Sequence, residues 1–188
     1  MKETPQTNSQ SVWEHGVSVQ EYLFDLLDHL REDKPLKHEW RIPEWVYEQK
    51  EFLLANLPSD ETLSLYTLYH DCGKPFCITY DDEGRRHFPD HAEVSYKIFN
   101  QHFNDPIAAE LIRRDMDFHL LKADTLKQFS EYEYCTALIL TGLSELHSNA
   151  KMFAKDEEDP LNSIGFKIKW KNSNKRGRQV LELLTKVK

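Results

Sequence analysis

At 188 residues, with 39% hydrophobic and 30% charged residues, the chain is long enough for one substantial core and short for two; this composition excludes a fibre or a wholly disordered chain. No apolar run approaches the roughly 20 residues of a membrane span, and residues 1–11 are polar with no secretory-type apolar stretch, so the expected address is the cytoplasm. The net charge of −8 is unevenly spread: from Phe166 to Lys188 eight basic residues face the single acid Glu182, a net of +7 that leaves −15 for the rest. Such asymmetry points either to a polyanion contact at the basic end, nucleic acid included, or to a solvated tail without a partner.

The expected organisation is a polar amino-terminal tail (1–11), one helical domain (12–155), and an acidic linker followed by a basic segment (156–188). Val12, Val19, Leu23, Leu26, Leu27 and Leu30 recur at helical spacing and predict an amphipathic helix over about 11–31, with His15 in its first turns. A second helix opens at Pro43, carries Trp45, Val46, Phe52, Leu53 and Leu54, and ends near Leu57-Pro58. Ser59 or Asp60 caps a third, which runs to His70-Asp71 and is terminated by Gly73 and Pro75. Residues 76–88 suggest a short hairpin or extended loop. Asp90 is expected to cap a helix from His91 to about Phe103, and Asp105-Pro106 to open another that ends near His119. Ser130 with Glu133 reads as a capping box for a last core helix carrying Leu138, Leu140, Leu143, Glu145 and Leu146. Phe166, Ile168 and Trp170 alternate with Lys167, Lys169 and Lys171 at the period of a strand, an edge strand or a segment ordered only on contact.

Cys72, Cys77 and Cys135 lack paired C-x-x-C spacing and read as small buried or half-buried thiols, not as a disulfide framework or a thiolate zinc site. His15, His70, Asp71, His91, His119 and Glu145 all fall on or at the ends of predicted helices. Imidazoles and carboxylates together suit Mn, Fe, Co, Ni or Zn, with Mg as a further divalent candidate. An adjacent His-Asp pair sends two unlike ligands from one helix end toward one centre, and its carboxylate is able to bridge a second cation. His29, His38, His87, His102 and His147 are left as structural or surface residues.

The central motif His70-Asp71-Cys72-Gly73-Lys74-Pro75, followed by Phe88-Pro89-Asp90-His91-Ala92-Glu93-Val94-Ser95, resembles the HD superfamily of metal-dependent phosphohydrolases over residues 12–153. Within it the Gly-Lys-Pro extension and the second signature look most like the HD domains of bacterial tRNA nucleotidyltransferases and of RNA-repair end-healing enzymes. The resemblance implies an all-α fold and a one- or two-metal centre held by His15, His70, Asp71, His91, His119 and Glu145. One cation is satisfied by His15, His70, Asp71 and Glu145; His91 and His119 allow a second. Asp71 and Lys74 are the expected catalytic pair, and Lys74, Ser95 and Asn149 the expected substrate contacts, with packing the rival role for Ser95 and Asn149. Arg85, Arg86, Arg113 and Arg114 are read as solvated surface within reach of substrate.

The implied reaction is hydrolysis of phosphate mono- or diesters of nucleotides or RNA ends, such as a 2′,3′-cyclic phosphate or a 2′-phosphate. The alternatives are a small-molecule nucleotidase or cyclic-nucleotide phosphodiesterase, and a non-catalytic module that binds nucleic acid or protein. Glu145 supports the last of these. It stands where the family usually has Asp, and its extra methylene shifts the carboxylate by about a bond length in a site that needs placement to about 0.5 Å.

Overall fold

Ser11 opens the first helix through a reciprocal capping box: its hydroxyl accepts from the Glu14 N–H at 3.2 Å, while its own N–H donates to Glu14 Oε2 at 2.7 Å. The helix, α1, runs Val12–Glu32, and its apolar stripe from Val12 to Leu30 is buried along the whole length. The computed structural model describes residues 1–6, 10–154 and 159–185. Parts of the expected tail (7–9), the last residue of the expected domain with the start of the acidic linker (155–158), and part of the basic end (186–188, with Lys186 and Lys188) lie outside the described residues.

After α1 come α2 (Glu44–Glu48), α3 (Lys50–Ala55), α4 (Asp60–Tyr69), α5 (Lys74–Cys77), the hairpin strands β1 (Thr79–Tyr80) and β2 (Arg86–His87), and α6 (His91–His102). They are followed by α7 (Pro106–Arg113), α8 (Asp115–His119), α9 (Leu126–Ser130), α10 (Cys135–Ser148), two short 3-10 turns, and α11 (Ile164–Thr185). The expected all-α architecture with one small hairpin is what forms. No helix among the described residues is long and apolar enough to cross a membrane.

The elements group into two compact units, neither continuous in sequence. The first comprises Met1–Gln20 and Pro58–Met116, the second Glu21–Leu57 and Asp117–Lys188. In the first, α7 packs on both α4 and α6, and Asp105 starts it by accepting from the Ile107 and Ala108 N–H groups. The hairpin pairs Thr79 with His87 and Tyr80 with Arg86, with Gly84 at φ 73° supplying its left-handed turn. In the second unit α10 is buried almost all round, and α11 packs against it and against α9. Asp25, on α1, is almost fully buried and accepts from Lys37 N, His38 N and Trp40 Nε1, which ties down the charged connection that follows.

Several expectations are corrected. The strand expected over Phe166–Trp170 is part of helix α11: Phe166, Val180 and Leu181 are buried at helical spacing with Trp170 beside Arg41, while Ile168 is 58% exposed. The second helix is broken at Gln49 (φ −112°, ψ 21°) into α2 and α3. Asp90 does not cap α6 with its side chain; it adopts φ 51°, and the turn closes through the main chain. The Ser130 hydroxyl donates to Lys127 O at the end of α9, so no capping box starts α10. Gly73 has φ −79° and does not stop α4 in a left-handed cap; the chain turns through residues 70–73 into α5, with Pro75 in its first turn.

Candidate metal centre

Ser59 begins α4 by accepting from Thr62 N, and the helix delivers His70 and Asp71 at its far end. His70 Nδ1 donates to Thr67 O at 2.8 Å; a carbonyl only accepts, so in the neutral ring Nδ1 carries the proton and Nε2 presents its lone pair. His91, in the first turn of α6, repeats the device with Phe88 O at 3.1 Å. A backbone carbonyl that fixes the tautomer of an imidazole is the usual support of a metal-ligating histidine.

Two glycines make the convergence sterically feasible. A Cβ on Gly16 would stand 2.6 Å from Leu68 O, so α1 lies close against α4 and sets the His15 ring edge-on to that of His70, centroids 5.1 Å apart. A Cβ on Gly73 would stand 2.3 Å from Ser95 N and 2.9 Å from His91 O, so the His-Asp turn rests directly on the first turns of α6. The Gly73 N–H donates to Ser95 Oγ at 2.8 Å, and the Cys72 thiol to Ser95 O. Ser95 is fully buried, and its hydroxyl supports this turn.

Asp71, 2% exposed, sits at the middle of the set. His70 Nε2 is 3.3 Å and His15 Nε2 3.6 Å from its Oδ2, and His91 Nε2 is 3.6 Å from its Oδ1. These separations lie beyond the ordinary range of an N–H···O bond. They match the edge of a tetrahedral ligand shell, about 3.3–3.4 Å when each ligand bond is about 2.0–2.1 Å. The ligand nitrogens of His15 and His70 also lie within 4.8 Å of one another. This donor set fits a divalent first-row cation. Burial alone would raise the Asp71 carboxyl, but positive charge beside it, from the His70 and His15 rings when protonated and from the Lys74 ammonium, holds it well below the usual carboxylate range.

Lys74, expected as a catalytic and substrate-contacting residue, is buried (7% exposed): its ammonium donates to Asp71 Oδ2 at 2.5 Å and to Gln6 Oε1 at 3.0 Å, and lies over the Phe88 ring. Gln6 falls in the expected polar tail, and nothing in its sequence context marks it. The tail is nonetheless pinned, since the Pro5 carbonyl accepts from Arg86. Arg85, Arg113 and Arg114 are engaged with Asp81, Glu93 and Glu110.

His119 and Glu145 belong to the second unit, where His119 Nε2 and Glu145 Oε2 are 2.7 Å apart in a charge-assisted hydrogen bond. The longer Glu side chain thus brings its carboxylate onto an imidazole. Asn149 ends α10 through its N–H, and its buried Oδ1 has no hydrogen-bond partner among the described residues. His147, read as structural, is so: Nδ1 donates to Leu143 O, Nε2 accepts from Arg41 N, and burial pushes the ring down to about 4. Cys72 and Cys135 are buried and Cys77 half-buried, all three as free thiols.

No curated protein and no solved structure matches the chain. The HD domain family matches residues 12–161, most of the sequence, and covers the whole of α1, the His70-Asp71 turn and the whole of α10. Proteins of this family bind divalent metals and are generally metal-dependent hydrolases. With three histidines gathered around one buried aspartate and the match spanning most of the chain, this protein belongs to the HD domain family.

Proposed function

We propose that the chain is a metal-dependent phosphohydrolase that cleaves phosphate mono- or diesters of nucleotides or RNA ends. The observation that carries the reading is the cluster of His15, His70 and His91 around Asp71, with two of the three imidazoles oriented by main-chain carbonyls at Nδ1. His15, His70 and Asp71 would hold a first cation and His91 would serve a second; His119 and Glu145 are assigned as ligands on the family pattern. When bound, a divalent cation lowers the pKa of water to make a nucleophile and neutralises charge on phosphoryl oxygens.

The remaining work falls to the chain's own groups. Asp71 stays ionised in a buried site paired with the Lys74 ammonium, so a negative charge is available to the cation. Lys74 shares that carboxylate and supplies an ammonium for a non-bridging phosphate oxygen, a point-charge contact. Ser95 and Gly73 hold the turn that carries both. The assignment to RNA ends, as against small nucleotides, is supported by the likeness of the Gly-Lys-Pro turn and the His91 to Ser95 signature to RNA-processing HD domains.

The test is a phosphate-release screen over 2′-, 3′-, 5′- and 2′,3′-cyclic nucleotides with Mn, Fe, Co, Ni, Zn and Mg, beside metal analysis of the purified protein. Near-stoichiometric metal is expected, and release that Asp71→Ala and His70→Ala each abolish. Absence of cleavage with every metal would leave the non-catalytic binding module, which the Asp-to-Glu departure at Glu145 favours.

A further inference from the structure

A cavity of about 170 Å³ in the second unit sets Phe118 and His119 of α8 opposite Lys169, Asn172, Ser173 and Arg176 of α11, over two leucines. The four α11 residues stand at i, i+3, i+4 and i+7 and therefore share one face of the helix. Among the described residues no carboxylate lines the cavity. Along its length α11 carries six basic residues against the single acid Glu182. The family match ends at residue 161, so this helix is an element of this chain beyond the family's domain.

The chemistry on offer is that of an anion site. Arg176 presents a guanidinium fork, one nitrogen of which donates to Gln179 Oε1 at 2.9 Å, and Lys169 an ammonium held near the Phe153 ring. Ser173 and Asn172 add a hydroxyl and an amide. The aromatic side chains of the segment are committed elsewhere: Phe166 is fully buried, and Trp170 donates to Arg41 O at 2.6 Å beneath the Arg41 guanidinium. The face of α11 that remains offers charged and polar groups. Its volume falls below the roughly 300–1,000 Å³ of pockets that enclose whole ligands, and suits a phosphate with part of its sugar.

We propose that this cavity is a subsite for a second, non-reacting phosphate of the substrate, bound by Lys169 and Arg176 beside His119. The proposal rests on the hydrolase reading only for the assignment of His119 to the reacting centre. A second phosphate has two sources, the neighbouring phosphodiester of a single strand or the other phosphate of a nucleoside bisphosphate.

The experiment is equilibrium binding to the full chain of a 5′-fluorescein decaribonucleotide, with adenosine 3′,5′-bisphosphate and adenosine 5′-monophosphate as competitors. It compares wild type with Lys169→Ala, Lys169→Ala/Arg176→Ala and Lys171→Ala, each shown to unfold at the wild-type temperature; the exposed Lys169 keeps the single variant informative if the double fails to fold. The double variant is expected to lose at least about tenfold for a ligand with two phosphates and less than about twofold for the monophosphate, with Lys171→Ala unchanged. Loss for the decamer alone identifies a strand, and loss for both larger ligands a small nucleotide. Equal loss in Lys171→Ala, equal loss for the monophosphate, or no loss overturns the subsite. Phosphate release from the same preparations separates the two readings. Binding loss without any hydrolysis sinks the hydrolase and leaves the subsite standing; hydrolysis with unchanged binding does the reverse.

Discussion

Replacing Gly73 by Ala tests how the His-Asp turn is built. The residue has φ −79°, a conformation alanine adopts freely, so no backbone strain enters and only the added methyl acts. That methyl would lie 2.3 Å from Ser95 N, 2.8 Å from Val94 C and 2.9 Å from His91 O, all main-chain atoms of α6. Contact distances between carbon and its neighbours are about 3.5–4.0 Å, so turn and helix must part by roughly 1 Å. Overpacking of this kind costs about 1–3 kcal/mol, or about 2–12 °C in midpoint at this chain length. Functionally the cost is larger. His91 and Asp71 lie on opposite sides of the contact, metal sites need placement within about 0.5 Å, and a misplacement of about 1 Å costs on the order of a hundredfold in rate. Thermal unfolding, metal content and phosphate release on one preparation would check this. Wild-type midpoint together with wild-type metal content would refute the close-packed turn.

Ser95→Ala leaves the buried Gly73 N–H without its acceptor and should destabilise by about 1–3 kcal/mol in denaturant unfolding, with the Cys72 thiol still on the Ser95 carbonyl. Burial pushes the Cys72 and Cys135 thiols up to about 11, so at pH 8 roughly one in a thousand is thiolate; iodoacetamide should label the half-buried Cys77 alone in the native protein, as read by mass spectrometry. His147 is held at about 4 in the fold against 6.5 in the unfolded chain, so its contribution is complete above pH 6.5 and is lost as pH falls toward 4. Unfolding free energy should drop by about 2 kcal/mol between pH 7 and pH 5, and His147→Gln should remove that slope. Gly177→Ala should gain about 1 kcal/mol of helix propensity, yet its methyl would meet the buried Trp45 ring at 2.4 Å. A net loss is expected in chemical denaturation, turning to a gain in the Trp45→Leu background.

What the sequence disclosed and what it hid divide along the range of the interactions. The stripe of α1, the Ser59 cap of α4 and the Asp105-Pro106 start of α7 depend on neighbours three or four residues away, and each forms where its spacing places it. The His70-Asp71 pair was legible for the same reason, as the end of a helix whose length its own residues set. Where two local patterns competed, the shorter misled: Phe166, Ile168 and Trp170 alternate over five residues, but the period that buries Phe166, Val180 and Leu181 needs the full helix to show. Contacts between distant segments left no local mark. Gly16 stands next to His15 and so signals a close approach, yet only Leu68, far along the chain, says to what. The carbonyls of Thr67 and Phe88 that orient two imidazoles are main-chain atoms, which any residue would supply. The ligands of such a centre are therefore written in side chains, while their aim is written in backbone geometry, and a substitution that keeps every imidazole but shifts the backbone by an ångström should disarm it as surely as removing one.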